Sequence, residues 1–166
     1  MKTDFRGLIG ILTQAGVKFI VVGGVAASAH GGSRLTLDLD VVYSRNDENI
    51  DLLTRALAPV APYLRGAPPN LPFHWDAETI RRGLNFTLIT SLGSLDLLGE
   101  IAGGGKFEDI KSHTLLVKLH GSECLCLDLE TLIKVKRAAG RPKDYEAVAE
   151  LEAILEEQKL AESQNG

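Results

Sequence analysis

Arg34-Leu35-Thr36-Leu37-Asp38-Leu39-Asp40-Val41 is the stretch of this 166-residue chain on which the reading of its fold turns. Every odd position is aliphatic and every even one polar, which is the period of a half-buried strand. The pattern predicts that Leu35, Leu37, Leu39 and Val41 face a core while Arg34, Thr36, Asp38 and Asp40 share the other face of a strand running from Arg34 to Tyr43. Two carboxylates two residues apart on one strand face have Cβ atoms within about 7 Å and repel each other unless a cation lies between them. All-oxygen ligands suit Mg²⁺, which takes one or two protein carboxylates and leaves its other positions to water and substrate phosphates. An exposed strand carries the same spacing for no chemical purpose, so the pair alone decides nothing.

Upstream, Thr3 or Asp4 is placed to cap a first helix that Gly16 ends, and Val17 to Val22 (VKFIVV) reads as a fully buried strand. Gly23-Gly24 breaks that strand, and VAASAH opens a short helix behind it. Glycines in such a place let backbone N–H groups approach a phosphate closely, and a helix N-terminus favours negative charge. A phosphate cradle followed, one short helix later, by a strand with paired carboxylates describes a metal–triphosphate site.

Downstream, Asn46 caps a helix expected to run to about Ala61, bounded by Pro62. Leu84 to Thr90 and Ser94 to Leu98 read as a hairpin about Gly93, and a short helix is expected near Phe107 to Ile110, after the glycine run Gly103 to Gly105. Strands follow at Thr114 to Leu119 and Glu123 to Leu127, turning at Gly121-Ser122. Asp128 caps a helix that Gly140 ends, and Asp144 caps a last helix to about Gln158, with Leu151, Ile154 and Leu155 on its apolar face. The sum is an α/β (α+β) domain: a mixed sheet flanked by helices, with C-terminal helices. Residues 1–158 form one domain in this reading, and 159–166 a polar, disordered tail.

Val22-Gly23-Gly24, thirteen intervening residues and Asp38-Leu39-Asp40-Val41 resemble the glycine-pair and Asp-x-Asp signature of the polymerase-β-like nucleotidyltransferase superfamily. The longer string GGVAASAHGGSRLTLDLD is similar to its small bacterial branch, which holds the AbiEii-like toxins and more distantly the lincosamide and aminoglycoside nucleotidyltransferases. Lys136 and Ala138-Ala139-Gly140-Arg141-Pro142-Lys143-Asp144 look like the basic run typical of that branch.

The resemblance implies a Mg²⁺-dependent nucleotidyltransferase, with two ions (Mn²⁺ as a substitute) and an NTP as substrate. Asp38 and Asp40 would hold the ions. A third carboxylate on a neighbouring strand would be both ligand and general base. Asp96, a lone acid in Ser94-Leu95-Asp96-Leu97-Leu98, is the best match, and Glu100 competes with it. Gly23, Gly24, Ser28, Arg34, Lys136, Arg141 and Lys143 would serve the nucleotide. Arg34 has two readings, neutralising the acids or reaching a phosphate oxygen, and Asp144 has a second as a plain N-cap. His30 reads as a packing or capping residue in preference to one that transfers protons. His74 and Trp75 read as either a flap against the base or a surface anchor.

The acceptor hydroxyl is left open between an RNA end, a protein side chain and a small molecule, and the branch implies a possible partner protein, as in toxin–antitoxin pairs. A formal charge of -4 supplies no bulk field for nucleic acid, which weighs mildly against RNA. The alternative is a non-catalytic nucleotide-binding module, whose mark would be a lost carboxylate. Cys124 and Cys126 lie two apart in an alternating run and are expected to be buried free thiols. No stretch reads as a signal peptide or a membrane span, so a cytoplasmic protein is expected.

Overall fold

The computed structural model describes residues 2–165. Its centre is a seven-stranded sheet in the order β3-β4-β5-β2-β1-β9-β8. The strands are β1 (Phe19–Val22), β2 (Asp38–Tyr43), β3 (Tyr63–Leu64), β4 (Asn85–Thr90), β5 (Gly93–Leu98), β8 (Thr114–Leu119) and β9 (Ser122–Leu127). A separate ribbon pairs β6 (Glu100–Ile101) with β7 (Gly105–Lys106). The sheet is mixed: β2 runs antiparallel to β1 and parallel to β5, while β1 runs parallel to β9. The α/β architecture expected from the sequence is the one observed.

Helices flank the sheet: α1 (Phe5–Gln14), α2 (Gly23–Ala29), α3 (Asp47–Leu57), α4 (Ala77–Arg82), α5 (Phe107–Ile110), α6 (Leu129–Ala139) and α7 (Pro142–Asn165). Asp4, Asn46, Asp76 and Asp128 each cap a helix by accepting from a backbone N–H three residues on, which satisfies a donor that the first turn leaves free. Gly140 ends α6 with φ +69°, a conformation that costs glycine little. α2 packs on β1, β2 and α6, and α6 carries α7. The core is continuous, from Leu8 and Leu12 of α1 through Ile20, Leu39, Val41 and Leu95 to Leu132 and Leu151. On α7, Leu151 is buried and Ile154 and Leu155 pack against it, as the apolar face predicts.

Four expectations are corrected. The strand expected at Arg34 begins only at Asp38, and Leu35 and Leu37, expected inside, are 88% and 65% exposed. Alternation sets a period but not a partner. β1 has already turned into α2 at Gly23, and β5 offers its first ladder position to β2 at Ser94, opposite Asp38, so residues 34–37 have nothing to pair with. α3 stops at Leu57 and passes into a 3₁₀ turn, Ala58–Val60, because Pro59 cannot donate within a continuing helix. The last helix starts at Pro142, a residue pre-set for a first turn, which makes Asp144 an interior residue of that turn and not its cap. It also continues beyond Gln158 through Asn165, carried by helix formers such as Lys159, Leu160 and Ala161.

Cys124 and Cys126 are free and buried, and burial pushes their thiols up to about 11 and about 12. No described helix is long and apolar enough to cross a membrane.

Asn49 carries the junction behind the sheet. Its side chain accepts from the Lys18 N–H at 2.7 Å and donates to the carbonyls of Ser44 and Lys18 at 2.7 and 3.1 Å, all from a position 2% exposed. Asn49→Ala takes a partner from the Lys18 N–H and from the buried Ser44 carbonyl and is expected to lower stability by about 1–3 kcal/mol in urea unfolding; a loss under about 0.5 kcal/mol would show that water replaces the amide.

Candidate active site

The sheet register assembles the site. Asp38 and Asp40 project from β2, and in the parallel pairing of β2 with β5 Asp40 stands directly beside Asp96 and Asp38 beside Ser94. On its other side Asp40 is opposite Val22, the last residue of β1, so its carboxylate lies over the start of α2. The glycine pair makes that approach possible. A Cβ on Gly23, which also has φ +67°, would run into the Asp40 carboxylate, and one on Gly24 would meet the Thr36 hydroxyl at 2.5 Å. The row continues through Thr87 of β4, opposite Asp96. Glu100, the competing third acid, lies on the β6–β7 ribbon opposite Lys106 and takes no part in it.

Three acids in this arrangement work against one another. Burial, then the charge and hydrogen bonding of Asp96 and the charge of Asp38, push the Asp40 carboxyl from 3.8 up to about 7, with Lys136 pulling weakly the other way. Asp40 Oδ1 is buried with no hydrogen-bond partner. An orphaned buried oxygen beside two further carboxylates is a donor set short of a cation, and its chemistry fits Mg²⁺. Among the described residues no three His, Cys, Asp or Glu groups close on a single point by themselves. A hard cation does not require that, since it takes one or two carboxylates and completes its shell from water and phosphate.

A cleft of about 310 Å³ opens beside the acids. Its walls bring together most of the residues singled out in the sequence: Gly23, Gly24, Ser28, Arg34, Asp38, Asp40, Lys136, Arg141 and Lys143. Asp96 lies outside this lining, on the far side of Asp40. Lys136 is half-buried on α6, and its ammonium is lowered by burial against the opposing pull of Asp144 and Asp40.

Asp144 is 3% exposed and accepts from Arg141 Nε at 2.7 Å and from the Arg141 N–H at 3.2 Å. Burial raises its carboxyl, but the Arg141 bonds and charge outweigh that and hold it below the usual range. It thus fixes the arginine on the cleft wall, a role its capping reading did not foresee. Arg34 does not neutralise the acids; it pairs with Glu146 of α7 at 2.5 Å while remaining on the cleft wall. His30 bonds through Nε2 to the Leu127 carbonyl at 2.8 Å, a packing role. Trp75 donates to the Thr54 carbonyl at 2.9 Å and serves as an anchor.

Sequence reasoning missed Arg65, which follows β3 and forms ion pairs with Asp96 and, at 3.5 Å, with Asp38. Nothing around Tyr63-Leu64-Arg65-Gly66 marks it, because β3 is only two residues long and its neighbours across the sheet come from later in the chain.

With this geometry in place, the comparison with solved structures is informative. A lincomycin-bound lincosamide antibiotic adenylyltransferase, LnuA, superposes with a TM-score of 0.60 over 93% of this chain and 99% of its own, at 12% identity. The fold is that of a nucleotidyltransferase. A Thermotoga maritima protein provisionally assigned as a nucleotidyltransferase aligns at 15% identity over 99% of this chain and 96% of its own, with a TM-score of 0.46. No family model and no curated protein sequence matches the chain.

The raised Asp40 carboxyl makes the metal-free protein sensitive to pH. Between 3.8 and about 7 the unfolded chain has released a proton that the folded chain still holds, so stability falls as pH rises through that window and levels off above it. Asp40→Asn removes this penalty. In EDTA the variant is expected to exceed the parent at pH 8 by on the order of 2–4 kcal/mol, with the gain shrinking towards pH 4; a gain independent of pH would show that Asp40 is ionised throughout.

Proposed function

We propose that the chain is a Mg²⁺-dependent nucleotidyltransferase that moves a nucleoside monophosphate from an NTP onto an acceptor hydroxyl. The observation that carries this reading is the alignment of Asp38, Asp40 and Asp96 on adjoining strands, through one register, beside a cleft that Asp38 and Asp40 line together with Lys136, Arg141 and Lys143. A non-catalytic module would have no use for three mutually repelling acids, and none of the three is replaced here.

In this reading Asp38 and Asp40 hold the ions, with Asp96 completing the set. Bound there, Mg²⁺ supplies neutralising charge for the triphosphate and the departing pyrophosphate. Lys136, Arg141 and Lys143 take phosphate oxygens as charge-assisted donors, with Arg141 held in place by Asp144. Arg34 and Ser28 line the same wall and add donors to it. Asp96 accepts the proton of the acceptor hydroxyl as its oxygen bonds to the α-phosphorus, and the bond to the bridging oxygen of the β-phosphate breaks in line to release pyrophosphate.

Among RNA ends, protein side chains and small molecules, we favour a small-molecule acceptor. The net charge of -4 supplies no bulk field and weighs mildly against a nucleic acid, and the superposable LnuA, of matching extent, is an adenylyltransferase for a lincosamide antibiotic. A second reading, a partner protein of the kind that a toxin–antitoxin pairing implies, is favoured by Leu35 and Leu37, which stand exposed on the rim of the cleft.

The test is the thermal midpoint with each of the four NTPs, with and without Mg²⁺. A ligand that binds only the folded state raises it. One NTP together with Mg²⁺ is expected to give a shift that neither gives alone and that Asp38→Asn abolishes. Equal shifts with and without metal would leave the carboxylates without the role assigned to them.

A further inference from the structure

The Arg65 side chain stands where the carboxylate face needs positive charge. Nη2 pairs with Asp96 Oδ1 and Nη1 lies 3.5 Å from Asp38 Oδ2, so one guanidinium fork spans two of the three acids. The same group donates from Nη2 and Nε to the Leu88 carbonyl at 3.0 and 3.3 Å, and its backbone N–H bonds to the Thr87 carbonyl at 3.0 Å. It is therefore a built contact and not a loose surface pair. Its side chain is nevertheless 27% exposed, and the Asp38 carboxylate it reaches is 41% exposed, so a path out to solvent exists. Asp40 receives nothing from it, and that is the acid left with an orphaned oxygen.

We propose that Arg65 is the counter-cation of the carboxylate face in the metal-free protein and that it competes with the metal for that face. This inference rests on the metal site proposed above. A divalent ion and a guanidinium cannot both draw on Asp38 and Asp96 at short range without strong mutual repulsion. Metal entry therefore displaces the fork from at least one acid, and the affinity for metal alone is set low by the ion pairs that must be given up. Arg65 acts through the carboxylates and is a positioning residue. It keeps Asp38 and Asp96 apart from each other's charge until the cation arrives, and the triphosphate, which carries its own negative charge, tips the exchange.

The experiment uses Mn²⁺ alone, without nucleotide, on the full chain. Its binding is followed by the loss of the free-ion electron paramagnetic resonance signal in the parent, Arg65→Gln and Arg65→Lys. Arg65→Gln is expected to bind Mn²⁺ about tenfold more tightly than the parent and to have a lower thermal midpoint in EDTA at pH 8. Arg65→Lys, which keeps the charge but not the fork, is expected to fall between them and decides the matter if the glutamine variant does not fold. A purely structural arginine predicts the opposite sign, since loosened carboxylates bind metal more weakly; unchanged or weaker Mn²⁺ binding in the variants overturns the inference while leaving the parent's metal site intact. Binding by Arg65→Gln alone supports it in its extreme form, and absence of Mn²⁺ binding in all three proteins overturns both this inference and the metal site on which it rests.

Discussion

The constraint on which the rest of the structure depends is the crowding of negative charge where β2 meets β5. Parallel pairing fixes Asp40 beside Asp96, and the strand period fixes Asp38 on the same face, so the repulsion is written into backbone hydrogen bonds and cannot relax by a side-chain turn. Around that point other features become intelligible. Gly23 lacks a Cβ because the Asp40 carboxylate fills the space. Arg65 reaches across two strands to supply charge. Asp40 keeps its proton to about pH 7 because burial and its neighbours leave it little choice. A fold selected for stability alone gains nothing from holding these acids together, and the proposed metal site is what would offset the cost.

The segment before β2 shows how the cleft is held open. Gly31 to Leu37 belongs to no strand, yet α7 ties it down: Glu150 accepts from the Ser33 N–H at 2.8 Å and from its hydroxyl, and Glu146 pairs with Arg34. Thr3, at the other end of the chain, donates to the Leu37 carbonyl. The last helix thus does two jobs from adjoining faces. It buries Val148 and Leu151 against the core and anchors the wall of the cleft with its acids, while its first turn presents Lys143 and Asp144, with Arg141 just before it.

Much of this was legible in the chain because local signals and tertiary use coincide. Asp4, Asn46, Asp128 and Gly140 punctuate helices by chemistry that needs no distant partner, and the Asp38-Leu39-Asp40-Val41 alternation survives because both neighbours pair with it. Legibility fails where a distant partner decides. Leu35 and Leu37 obey the same alternation as Leu39 and are exposed, since strand period carries no information about whether a neighbour extends that far. Arg34 shares the pattern with Asp38, and of its two readings the neutralising one fails because Glu146, more than a hundred residues later, takes the charge. Arg65, the charge that does reach the acids, follows a two-residue strand with no periodicity to read.

The distinction between Asp96 and Glu100 illustrates what three-dimensional structure adds. Both are acids near the end of an aliphatic run, four residues apart, and spacing alone does not choose between them. Register does. Asp96 is level with Asp40 across one ladder, whereas Gly99 ends the strand and turns Glu100 onto a separate ribbon beside Lys106. Gly99 follows the last residue of β5; its N–H still bonds to the Leu84 carbonyl at 3.1 Å and to Asn85 Oδ1 at 2.8 Å, and a Cβ there would crowd Leu84. Which acid stands level with Asp40 is thus set by sheet register and by the end of β5 at Leu98, and not by the spacing of the two acids.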